Sequence, residues 1–105
     1  MVIEPIATRI ASQEVTNSSR FTIENGEPIK VCGIIVTGLA SLGTTDTVEM
    51  DTGDASTTIH IFRLNTGTDR MVVLDVPFIA DKGLSFIGGN AHAQRVSVFY
   101  MHLGG

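Results

Sequence analysis

Tryptophan is absent from this chain, tyrosine and cysteine occur once each, and only two lysines are present, Lys30 and Lys82. Each scarcity excludes something. The lone Cys32 has no partner for a disulfide, and inside the apolar run VCGIIV it reads as a small buried hydrophobe in a reducing compartment, not a metal ligand. The seven basic residues, among them Arg9, Arg20, Lys30, Arg63 and Lys82, form no cluster, and the formal net charge is −4. Direct nucleic-acid binding needs a basic stripe to neutralise phosphates, and none exists here. No stretch approaches the ~20 apolar residues of a membrane-spanning helix, so no membrane partner is expected. The opening MVIEPIATRI lacks a charged segment followed by an unbroken apolar one, so no signal peptide is read and the Asn17-Ser18-Ser19 sequon carries no weight. Charged residues make up 17% of the chain, well below the roughly 25% of typical domains. Either some nominal surface faces another subunit, or threonine and serine coat it in place of charge.

What is present is β grammar. At 105 residues the chain is one domain with a real core. Residues 1–19 read as an N-terminal arm, in which Ile3, Ile6, Ala7, Ile10 and Ala11 follow helical spacing. The arm is either a short helix or an extended segment docked on the body or on a neighbour. From residue 20 to 105 the expectation is an all-β domain, an antiparallel, jelly-roll-like β-sandwich of seven or eight strands. Strands are read at 21–23, 28–38, 47–51, 57–64, 70–76, 84–88 and from 94 to the end. Asn25-Gly26 signals a hairpin turn, and Gly33 marks a bulge or a close backbone approach.

The chemical motifs are thin. Asp51-Thr52-Gly53 has the form of the aspartic-protease triplet, but Glu49-Met50 stand where that signature needs apolar residues, and mid-chain placement leaves little room for the strands that follow it. MDTGD therefore reads as a tight turn, with glycine supplying a positive φ and aspartate capping the bend. Asp46, Asp51 and Asp54 could supply oxygens to calcium, but their spacing does not match a D-x-D-x-D-G loop. His60, His92 and His102 show no paired metal-ligand spacing. No nucleophile elbow or phosphate-cradling glycine loop is present. The expectation is no enzyme, no catalytic residue, no cofactor and no metal.

Val76-Pro77-Phe78, Lys82-Gly83-Leu84 and Val96-Ser97-Val98-Phe99-Tyr100 follow one another in the C-terminal half, after the apolar strand VCGIIVTG at 31–38. This pattern resembles the small β-sandwich virion structural proteins of tailed bacteriophages. The resemblance implies a non-enzymatic capsid decoration (cement) protein that stabilises the head. It implies a homo-oligomer, a trimer by preference, whose partner is the major capsid protein or another virion protein. The location would be the virion, assembled in the host cytoplasm. The alternative is a ligand- or carbohydrate-binding module of a tail or fibre, although sugars are usually stacked on exposed aromatics and few are available.

The final strand, QRVSVFYMHLGG, is apolar on both faces. Phe99, Met101 and Leu103 are expected to face the protomer core, and Val96, Val98, Tyr100 and His102 a neighbouring protomer. Ile3, Ile6 and Ile10 of the arm are placed at the same subunit interface. Tyrosine is enriched at interfaces and histidine tolerates a half-wet position, which favours that orientation.

Overall fold

Period-two burial, not a helical repeat, governs most elements of the computed structural model, which describes residues 8–38, 45–65 and 71–103. Nine strands are present among these residues: β1 (Arg9–Val15), β2 (Phe21–Ile23), β3 (Ile29–Gly38), β4 (Thr45–Thr52), β5 (Thr58–Asn65), β6 (Met71–Leu74), β7 (Phe78–Ala80), β8 (Leu84–Gly88) and β9 (Gln94–His102). They form two antiparallel sheets. One has the order β1-β9-β3-β6, with β7 also paired to β3; the other has the order β2-β8-β4-β5. Only β4 and β5 are both consecutive and paired, so nearly all of the chain alternates between layers, as in a jelly roll.

The core lies between the layers. Ile29, Val31, Ile34 and Val36 of β3 meet Val96 and Val98 of β9 on one side, and Val48, Phe62, Leu84 and Phe86 fill it from the other. In β3 the inward residues are odd-numbered up to Val31 and even-numbered from Ile34. The switch comes at a bulge: Val31 pairs with Tyr100 and Gly33 with Phe99, leaving Cys32 as the extra residue. An extra residue reverses the parity of everything after it, which keeps both halves of β3 apolar inward. The opposite edge of β3 is shared by β7 below the bulge and β6 above it. The linker between those two contains Pro77, which has no N–H to give to a ladder.

One open alternative is decided here, and two expectations change. Ile10 and Ala11 lie in β1, paired with Phe99 and Val98 of β9, so the described part of the arm is extended and not helical. A sheet edge supplies backbone partners along the whole segment, whereas a helix this short is marginal by itself. Ile3 and Ile6 lie outside the described residues. Asn25-Gly26 does make a turn, with Gly26 at φ +85, but β2 and β3 belong to different sheets, so the turn carries the chain between layers and is no hairpin. The strand β7 has no counterpart among the strands read from sequence, since it is only three residues long and directly follows Pro77.

Candidate functional site

The outer face of the five-stranded sheet is the largest chemical anomaly. In β9 the residues alternate buried and part-exposed, so Val96 and Val98 are fully buried, Tyr100 is 7% exposed, and Ser97, Phe99 and Met101 point outward. This reverses the orientation expected for Val96, Val98 and Tyr100: they belong to the protomer core and cannot meet a neighbour. Phe99 and Met101 face outward. The signal was available in Arg95 and Ser97, which share parity with Phe99 and would sit poorly inside a core. His102 lies at the end of β9, with Nε2 at 3.0 Å from Glu27 and 3.7 Å from Glu24.

Cross-strand pairing builds Phe99 into a patch. Ile10 sits opposite it on β1, and Val73 faces Ile35 two strands away. Ile10 is 66% exposed, Met71 59%, Val73 54% and Ile79 61%. A groove of 240 Å³ runs between Cys32, Ile35, Val73 and Phe99. Cys32 is therefore a half-buried groove residue at the bulge, not the buried core hydrophobe the sequence suggested. Toward the other end the face turns polar: Arg95 lies 3.3 Å from Glu14 and donates to Ser12 at 3.1 Å, and Ser12 and Ser97 hydroxyls meet at 3.0 Å. Apolar centre and polar margin are the anatomy of a protein interface.

The aspartates considered for calcium have three separate surroundings. Asp46 is 1% exposed at one end of the sandwich, where Asn90 Nδ2 donates to it and His92 Nδ1 lies at 3.5 Å. Burial pushes its carboxyl up, but hydrogen bonds from Asn90, Gln94 and His92 prevail and hold it below the usual range. Asp51 lies on the outer face of the four-stranded sheet, where Arg20 Nη1 donates to its Oδ2 at 2.8 Å and to Ser85 Oγ at 2.7 Å. An aspartate locked by a guanidinium is not a protease dyad member. Asp54 accepts from Thr52 Oγ1 at 2.6 Å and from Ser56 Oγ at 2.7 Å within the β4–β5 hairpin, and these bonds lower its pKa to about 2. Gly53 is required because a side chain there would collide with the Lys82 carbonyl oxygen, while the positive φ falls on Ala55.

The histidines stay apart. His60 is exposed on β5 with its ring edge-on to Phe62 at 4.9 Å. Glu24, Glu27 and His102 have potential ligand atoms within 4.8 Å of one another, and Arg9 lies 3.5 Å from Glu24. The Arg20–Asp51–Ser85 cluster was invisible in sequence, since its members are 31 and 65 positions from Arg20 and no local pattern connects them.

No family model matches the sequence, and no curated protein matches it. The fold has a match among solved structures. It is similar to the Drosophila NLP core, with a TM-score of 0.68 at 19% identity, over 94% of this chain and 100% of the other. That structure bears on pentamer formation and histone binding by the Drosophila protein. The match overturns the resemblance to phage virion proteins, since a core of this shape belongs to a eukaryotic protein. The V-P-F, K-G-L and V-x-V-F-Y segments follow from how β6 to β9 are built: a proline-interrupted edge, a tight turn and a two-faced strand. With that resemblance fall the capsid-decoration role, the carbohydrate-binding alternative, the trimer, the capsid partner and the virion location.

Proposed function

We propose that this chain is a non-enzymatic, ring-forming chaperone module that binds basic proteins of the histone type. The observation that carries the reading is the apolar outer face around Ile10, Phe99 and Val73, on a sandwich whose core is already complete without it. Large exposed apolar patches on otherwise satisfied domains mark contacts between proteins. Support for five copies comes from the shared fold with a protein whose structure bears on pentamer formation, and support for a basic partner from histone binding by that protein. The net charge of −4 favours cationic partners and disfavours nucleic acid.

A ring of five requires a head-to-tail contact, in which two different patches of each copy meet. The exposed residues suit this: Ile10 lies on the β1 edge of the sheet, and Met71, Val73 and Ile79 on the opposite β6–β7 edge. Native mass spectrometry is expected to give about 56 kDa, five copies of the 11.2 kDa chain. A monomer at micromolar concentration overturns the assembly reading. Sedimentation with purified core histones at physiological salt is expected to give a joint species, and independent sedimentation overturns the partner.

A further inference from the structure

The sandwich is open along one seam, where β5 of one sheet lies beside β7 of the other. A groove of 370 Å³ runs there, lined by Thr52, Thr57, Ile59, Phe78, Asp81 and Lys82 among others. Both walls are strand edges. Among the described residues β5 pairs only with β4, and β7 only with β3, so the backbone groups along their outer sides have no ladder partner. A bulge brings one side chain into this space: Met50 pairs with His60 but Asp51 with Thr58, which leaves Ile59 as the extra residue of β5. Ile59 is 44% exposed. Unpaired edges beside apolar side chains are a template for extended chain.

One segment of this protein has the matching character. Residues 2–7 read VIEPIA, with Glu4 as their one charged residue. Pro5 fixes its own φ and biases Glu4 toward an extended backbone. The point of departure of this segment matters as much. Tyr100 lies opposite both Arg9 on β1 and Val31 on β3, and Val31 lies opposite Phe78 on β7. Arg9 and Phe78 therefore share one row across the sheet, and the segment leaves β1 level with the groove but at the far edge. Within one copy those edges are three strand spacings apart, about 14 Å. Residues 2–7 span at most about 21 Å, so a crossing to their own groove leaves about two residues to fill it. In a head-to-tail ring the β1 edge of one copy adjoins the β6–β7 edge of the next, and the same residues start beside a groove.

We propose that residues 2–7 of one copy occupy the groove between β5 and β7 of the next copy. This rests on the reading of the chain as a ring-forming module, and it adds an interlocking contact to the apolar face already described. The segment gives an open strand edge a backbone partner, and its isoleucines cover Ile59 and Phe78.

Photo-crosslinking of the full chain tests it. p-Benzoylphenylalanine takes the place of Ile59, and heavy-nitrogen and unlabelled copies are refolded together before irradiation. The expected product joins position 59 to the tryptic peptide Met1–Arg9 in mixed-isotope pairs. Products of a single isotope mean that the segment folds back on its own copy, and they overturn the proposal. So does an assembled sample that yields no product with Met1–Arg9. The same probe at Ile61, on the outer face of the four-stranded sheet, gives no such product, and an equal yield there makes the first one nonspecific and overturns the proposal. Ile3→Asp and Ile59→Asp each raise the concentration of half-dissociation about tenfold in sedimentation, and the double variant adds little because both remove one contact. Fully additive effects would separate the two residues and overturn their pairing. If the unaltered chain is itself a monomer, the ring reading fails, whereas a ring without the crosslink removes only the interlocking segment.

Discussion

Asp46 shows how much a single buried carboxylate organises. Three side chains from the segment before and at the start of β9, Asn90, His92 and Gln94, converge on it, and Asn90 in turn accepts a backbone bond from Asn17 at 2.8 Å. The 89–94 segment is thereby tied to β4 and to the β1–β2 connection. Asp46→Ala leaves buried donors unpaired and is expected to cost about 2–4 kcal/mol of unfolding free energy in a urea titration. The lowered carboxyl also sets a pH dependence. A group with a depressed folded pKa contributes stability above its unfolded value near 4, and that contribution is lost as pH falls through the folded value. The acid limb of a stability profile below pH 4 should therefore be shallower in Asp46→Asn, and an unchanged limb would show that other carboxylates govern it.

At the scale of the element, β9 is the decisive strand, central in its sheet between β1 and β3. Val98→Asp places an unpaired charge in a fully buried position and is expected to leave no folded protein by circular dichroism, because the penalty rivals the whole stability of a small domain. Phe99→Asp, one residue on, is expected to fold normally and fail to assemble, read as a monomer by light scattering. The reverse pair of outcomes would restore the opposite orientation of the strand. Gly83 is the second sensitive point, since it holds φ +75 and a side chain there would strike the backbone carbonyls of Ile23 and Glu24. Gly83→Ala should lower stability by more than about 1 kcal/mol, measured as a shift in the urea midpoint. Most strands were legible from alternation and turn residues, as at 21–23 and 84–88. β1 was not, because Ile10 and Ala11 mimic a helical stripe and its residues are exposed on both faces for most of its length.

For the whole molecule, the low charge content acquires a location. Most of the exposed apolar side chains among the described residues gather on the outer face and edges of the five-stranded sheet, while Arg20, Asp51, Ser85, Glu49 and Arg63 occupy the outer face of the other beside the exposed Ile61 of β5. The outer face of one layer is thus mainly apolar, and that of the other carries cations and anions in equal number. Val73→Asp, at the edge opposite Ile10, should dissociate the oligomer without altering the melting curve of the dilute monomer. Mixing it with Ile10→Asp should yield open dimers joined by one head-to-tail contact, since each variant retains one good patch. A mixture that remains monomeric would mean that both residues serve a single patch.

The amino-acid sequence by itself determined the all-β class, the sandwich, the absence of a basic stripe and the fact that the last strand has two apolar faces. Tertiary structure alone decided which of those faces is inside. A period-two pattern is unchanged when its faces are exchanged, so its absolute phase comes from pairing with β1 and β3 and from the extra residue at Cys32. The same holds for the Arg20–Asp51–Ser85 cluster, whose members lie far apart in sequence and meet only when the four-stranded sheet has formed.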